Sequence, residues 1–213
     1  MYFSQLTLDQ SRLRLGWSGE YGLHKMVWNL FAGQADQPRD FLFHLNENGL
    51  SSILYTLSRR EPQITDTPWQ ARTKPFAPQL ATGDQLGFLL RANPVVTRAK
   101  KRHDVVMDAK HTLSSQGKPR KEWPSQAELV QQTASAWLRR RADSMGVEWG
   151  EICAEGYQIR RFSKPNKSTI SLATVDFSGV LTVRQPQLFH EAVITGVGGA
   201  KGFGCGLMML RRL

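Results

Sequence analysis

Tyr21 and His24 stand three residues apart in the segment Tyr21-Gly22-Leu23-His24-Lys25-Met26-Val27-Trp28-Asn29-Leu30-Phe31, which makes them neighbours on one surface of a helix. Leu23, Met26, Val27 and Leu30 fall together at helical spacing and form the stripe that must seek a core. Tyr21 and His24 lie to one side of that stripe, so they line a groove rather than pack inside. A histidine so placed can exchange a proton near neutral pH, and a neighbouring tyrosine can orient an attacking group or donate to an oxyanion. The pair is the candidate catalytic group.

A second segment, Gly196 to Gly206, carries six glycines in eleven residues. Such a backbone can approach a phosphate chain closely and present its N–H groups to it. Gly198, Gly199 and Gly202 are the candidate contacts, with Lys201 adding charge. Two nucleotide-binding readings fail on context: Walker A requires Gly-Lys-Ser/Thr opening a helix, and a Rossmann loop follows the first strand. Here Ala200-Lys201-Gly202-Phe203 lies late in the chain and runs into a strand. A purely structural glycine turn remains the alternative.

Basic side chains form further clusters. Arg98, Lys100, Lys101 and Arg102 share a loop, and Arg160-Arg161 ends a strand, with Lys164 and Lys167 in the turn that follows. A ribbon with arginines at its tip can grip a nucleic-acid groove through phosphates and base edges; a solvated turn is the bland reading. Arg139-Arg140-Arg141 sits at a helix C-terminus, where cations favour the dipole, and is assigned to that structural role. His44, His103, His111 and His190 lack a pairing like that of His24 and read as structural or RNA-contacting.

The whole chain agrees with a polyanionic partner. Its 28 Lys and Arg against 18 Asp and Glu give +10 over 213 residues, a surplus that folding does not need and that costs self-repulsion. Between Arg91 and Arg141 alone, twelve basic residues face four acidic ones. No run approaches the ~18 consecutive apolar residues of a membrane span, and Met1 to Leu6 lacks the layout of a signal peptide. Cys153 and Cys205 form no CxxC pair and cannot hold a zinc ion alone. The expectation is a cytoplasmic protein with no metal, no other cofactor and no membrane partner.

The elements that must position these groups read as follows. Met1 to Leu8 alternates as a strand, Glu20 to Phe31 is the helix with Ser18 as N-cap, and Phe41–Leu45 and Ser52–Leu57 suit strands. Pro62 to Pro78 is loop-like, and Gln85 to Arg91 is a strand that closes the first half. This is the βαββαβ order of a ferredoxin-like unit with a poorly marked second helix. Ser114 to Lys121 reads as a linker. Then come a helix over Ser125–Ala142 with a Ser125/Glu128 capping pair, strands over Glu155–Phe162 and Thr169–Val183, a helix over Pro186–Thr195 and a last strand over Gly206–Leu210. These make most of a second such unit, whose first strand is placed near His103–Met107. The predicted class is α+β with two tandem ferredoxin-like domains: residues 1–95, a basic connecting segment 96–122, and residues 123–213.

Taken together, the chain resembles the CasE family, the endoribonucleases that process CRISPR precursor RNA in type I-E Cascade systems. The resemblance rests on the Tyr21-x-x-His24-x-x-x-Trp28-x-Leu30-Phe31 helix, on Asn93-Pro94 through Lys100-Lys101-Arg102-His103-Asp104-Val105-Val106-Met107-Asp108, and on Gly196 to Leu210. It implies two ferredoxin-like domains holding the repeat hairpin of the transcript. It further implies cleavage at the 3′ base of the stem by the upstream ribose 2′-OH without a metal, leaving a 2′,3′-cyclic phosphate and a 5′-OH. The enzyme would then stay bound to its product alongside the other Cascade subunits. His24 would transfer the proton with Tyr21 as its partner, Arg160 and Arg161 would belong to an RNA-gripping hairpin, and Gly196 to Gly206 would be the signature loop. Related processing enzymes often add a lysine that balances phosphate charge; no such residue can be placed in this sequence. A non-catalytic RNA-binding subunit of a ribonucleoprotein is the alternative.

Overall fold

The structure is a computed structural model and describes residues 1–8, 19–31, 39–48, 51–65, 67, 69–162 and 170–213. The elements in chain order are β1 (Tyr2–Leu8), α1 (Gly19–Asn29), β2 (Phe41–Asn48), β3 (Ser51–Ser58), β4 (Trp69–Pro75), β5 (Gln85–Ala92), β6 (Val95–Arg98), β7 (Lys101–Asp104), α2 (Val105–Ser115), α3 (Gln126–Arg139), α4 (Ala142–Met145), β8 (Val147–Phe162), β9 (Ile170–Val183), α5 (Pro186–Thr195) and β10 (Met208–Arg212).

Two four-stranded sheets organise them. The first runs β2-β3-β1-β4 and the second β10-β5-β9-β8, and every pairing is antiparallel. Counted within each sheet, both read 4-1-3-2, the order of a ferredoxin-like unit, so the α+β class with two such units holds.

The assignment of two strands does not hold. Gln85–Ala92 pairs with β9 and β10 and is the first strand of the second sheet, not the last of the first. The place it was expected to fill belongs to β4, in the stretch read as a loop. Trp69 is buried there, but the following residues are half-buried or exposed, because β4 is an edge strand with β1 as its one neighbour. Such a polar edge strand carries little apolar periodicity. Likewise His103–Met107 is not the missing strand. It spans the end of a two-stranded β6–β7 ribbon and the first turn of α2, where the Asp104 carboxylate accepts from the Val106 and Met107 amides as N-cap. Ser114 and Ser115, read as linker, close that helix.

Ser18 lies outside the described residues, β8 begins at Val147 rather than Glu155, and β10 at Met208 rather than Gly206; other local signals held. Ser125 caps α3 with Glu128 as its reciprocal partner, and α5 matches the predicted span. Each unit buries its own core. Leu23 and Val27 of α1, with Leu30 just after it, pack with Leu6, Phe41, Phe43, Leu54 and Trp69 of the first sheet. A fully buried leucine in such a cluster contributes ~1.5–3 kcal/mol. The opposite face of the first sheet supplies Leu42 and Leu57 to the larger core of the second unit, together with Trp137, Phe177, Phe189 and Leu207. Arg91 strengthens this seam, pairing with Asp176 at 2.6 Å and reaching the Leu45 carbonyl at 3.4 Å. No helix among the described residues is long and apolar enough to cross a membrane.

Candidate active site

The fold brings the opening helix and the glycine-rich loop together. His24, half-buried on the flank of α1, sets Nδ1 2.6 Å from the Gly202 carbonyl oxygen. A carbonyl can only accept, so Nδ1 carries the proton and donates it. The neutral ring then holds its acceptor lone pair on Nε2. The Phe203 ring stacks on the imidazole at a centroid distance of 5.4 Å, and Trp28, one turn on, lies 5.8 Å away on a second side. Tautomer and ring plane are both held by neighbours, as a proton-transferring histidine requires.

The loop can approach so closely because of glycine. A Cβ on Gly202 would come within 3.1 Å of Arg39 Nη1 and 3.5 Å of His24 Cε1. Gly198 serves a different end: its φ is +80°, and a Cβ there would lie 3.1 Å from the Trp137 ring. Two of the candidate phosphate contacts are thus also places where the protein packs against itself. Lys201 Nζ donates to the Thr195 carbonyl at 2.7 Å, and burial together with nearby Arg39 lowers its pKa.

The remaining candidates lie apart from this centre. Arg98 pairs with Asp108 at 2.8 Å, which ties the β6–β7 ribbon to α2. Lys100, Lys101 and Arg102 are exposed at and after its tip, where Ala99 and Lys100 both adopt positive φ, as a two-residue hairpin turn demands. Arg160 and Arg161 stand near the end of β8, opposite Leu172 and Ser171. Arg160, Arg91 and Asp176 all act on His44, whose pKa is lowered to about 4, chiefly by burial and then by Arg91. Lys164 and Lys167 lie outside the described residues, as does the Tyr21 side chain. Among the described residues no cluster of His, Cys, Asp and Glu could hold a metal ion; Cys153 is exposed and Cys205 buried.

Sequence reasoning assigned no role to Phe203, Trp28 or Arg39. Arg39 gave no signal, for it stands alone before β2, far in the chain from the loop it meets.

Comparison with known proteins gives a consistent result. A family model described as CRISPR associated protein matches residues 1–212. The CRISPR system Cascade subunit CasE of Escherichia coli is 32% identical over 218 residues, covering all of both chains. The CRISPR-associated endoribonuclease Cse3 of Thermus thermophilus is 27% identical over 202 residues, covering 89% of this chain and 81% of its own. Among solved structures, the CRISPR-associated protein Cas6e from Escherichia coli superposes with a TM-score of 0.67 at 28% identity over the whole of both chains. The endoribonuclease Cse3 bound to a 19-nucleotide RNA gives 0.76 at 22% identity, covering 99% of this chain and 100% of its own, a likeness of fold.

Proposed function

The chain belongs to the CRISPR-associated protein family, and we propose that it is the endoribonuclease that processes CRISPR precursor RNA for Cascade. It binds the repeat hairpin, cuts at the 3′ base of the stem without a metal, and stays with its product among the other subunits in the cytoplasm. The names of the relatives support the activity and the assembly.

The observation that carries the chemistry is the 2.6 Å contact between His24 Nδ1 and the Gly202 carbonyl. With Nδ1–H committed to that oxygen, neutral His24 can accept the proton of the ribose 2′-OH at Nε2. The 2′-oxygen attacks phosphorus as the bond from phosphorus to the 5′-oxygen breaks. The 5′-oxygen takes up a proton, from the imidazolium so formed or from water, and a 2′,3′-cyclic phosphate and a 5′-OH result. Tyr21, one turn earlier in α1, is the proposed partner of His24 at the cut, on the strength of the resemblance. The exposed cations Lys100, Lys101, Arg102 and Arg161, together with Arg98, Arg160, Lys164 and Lys167, are proposed to hold the RNA backbone, and Gly198, Gly199, Lys201 and Gly202 to face it from the loop.

Incubation with repeat RNA in EDTA, followed by end-group analysis, tests this reading. A single product ending in cyclic phosphate is expected, and one 2′-deoxy sugar at the cut should block it. Binding without any product would leave an RNA-binding subunit alone; cutting of the deoxy substrate would point to an activated water.

A further inference from the structure

Beside His24 the first sheet and the end of α5 enclose a concave space of about 630 Å³, lined by Arg39, Arg59, Lys201, Asp40 and Thr195 among others. Its charge is unbalanced. Among its described lining residues the one carboxylate, Asp40, is already engaged by Arg60 through two hydrogen bonds of 2.9 and 3.0 Å. Among the described residues Arg39 Nε is buried with no hydrogen-bond partner, and a buried N–H of a charged group left unpaired is costly. Burial lowers the pKa of Arg39, and burial and Arg39 together lower that of Lys201. Among its described lining residues, three cationic side chains face one carboxylate that is already engaged.

Its position relative to the imidazole supplies the identity of that anion. Arg39 Nη1 and His24 Cε1 approach the same point above Gly202, at 3.1 and 3.5 Å. An atom group that touches the proton-transferring ring therefore also comes within reach of the guanidinium. Resting on the ribonuclease reading above, we infer that Arg39, assisted by Lys201, binds the non-bridging oxygens of the phosphate at the 3′ base of the stem. There it offsets the negative charge that grows as the 2′-oxygen adds to phosphorus. Arg39 moves no proton. It remains a cation throughout, while one P–O bond forms, the other breaks, and the two protons pass through His24 or solvent. A planar guanidinium suits this work because its paired N–H groups match two phosphate oxygens at once. The absence of a side chain at position 202 keeps the space between Arg39 and His24 open.

The test uses the full chain and an uncleavable repeat RNA carrying a single 2′-deoxy sugar at the base of the stem. In this RNA each phosphate around that base is replaced in turn by a neutral methylphosphonate. Wild-type protein should lose roughly tenfold in affinity when the phosphate at the 3′ base of the stem is neutralised, as expected for one charge-assisted contact. Arg39→Gln should lose less than about twofold from that same change, because the partner charge is already gone, and Arg39→Lys should fall between. On cleavable RNA, single-turnover rates for Arg39→Gln should drop by about 10²-fold or more while affinity changes only several-fold. An undiminished tenfold penalty in Arg39→Gln overturns the assignment, as does a penalty abolished only at a flanking phosphate. Should wild-type protein fail to cut in EDTA, the ribonuclease reading falls, yet the affinity comparison still decides where Arg39 points.

Discussion

The two units share one strand order and differ in what covers their sheets. In the second, α3 and α5 pack over the sheet around Trp137, Phe177 and Phe189. In the first, α1 covers one face, and among the described residues no helix stands between β3 and β4. The first sheet instead gives Leu42 and Leu57 to its neighbour's core and receives the neighbour's glycine-rich loop against Phe43, Arg39 and His24. The better-covered unit is the scaffold, and the less-covered one holds the imidazole proposed to transfer the proton. A site built in this way exists only when both units are folded and docked.

That contrast can be strained from several directions. The largest effect should come from the scaffold: Trp137→Ala removes a fully packed ring that stacks on Phe177 and supports Arg141 and Gly198. It should cost ~3–5 kcal/mol in denaturant titration. A loss below 1 kcal/mol would mean that the second unit does not set overall stability. Next, His24→Ala should slow cleavage by about 10²-fold or more in single-turnover assays in EDTA, with RNA affinity and melting temperature nearly unchanged. Unchanged cutting would remove His24 from the chemistry.

The seam offers an intermediate effect. His44 is held neutral in the folded protein, with its pKa lowered to about 4 by burial and then by Arg91, whereas the unfolded chain takes up its proton near pH 6.5. Its contribution is therefore complete above pH 6.5 and drains away as pH falls toward 4, by on the order of 1–3 kcal/mol. His44→Gln should flatten that limb of the stability profile, and an unaltered profile would assign acid sensitivity elsewhere. The smallest effects separate two glycines of one loop. Gly198→Ala, strained at φ +80° and pressed on Trp137, should cost ~1–3 kcal/mol and slow cleavage by folded protein less than Gly202→Ala does. Gly202→Ala should barely move the melting temperature yet slow cutting roughly tenfold by displacing Arg39 and His24. Equal behaviour of the two variants would erase the division between scaffold and site.

Much of this was legible in the residues because it is encoded locally. The period of α1 placed His24 beside rather than within the apolar stripe, the Ser125/Glu128 pair announced α3, and Pro186 marked the start of α5. What stayed hidden was long-range. Gln85–Ala92 looks the same whichever sheet it joins, since the ladder with β9 and β10 is formed by residues some ninety and one hundred and twenty positions away. The helix Val105–Ser115 was masked by its basic surroundings, with Val105 and Val106 its buried residues. In the site, the His24–Gly202 contact joins positions 178 apart. No spacing rule connects them, and a comparably long separation concealed Arg39.

The placement of β5 bears on how this polypeptide could be divided. Both sheets keep all their strands if the chain is interrupted between Pro75 and Gln85, where the backbone runs from one sheet to the other. An interruption near residue 95 would instead tear an inner strand from the second sheet and strand it on the wrong fragment. Two genes divided at the earlier point should yield fragments that find each other through the Leu42–Leu57 seam, giving a switchable reporter whose halves are silent apart.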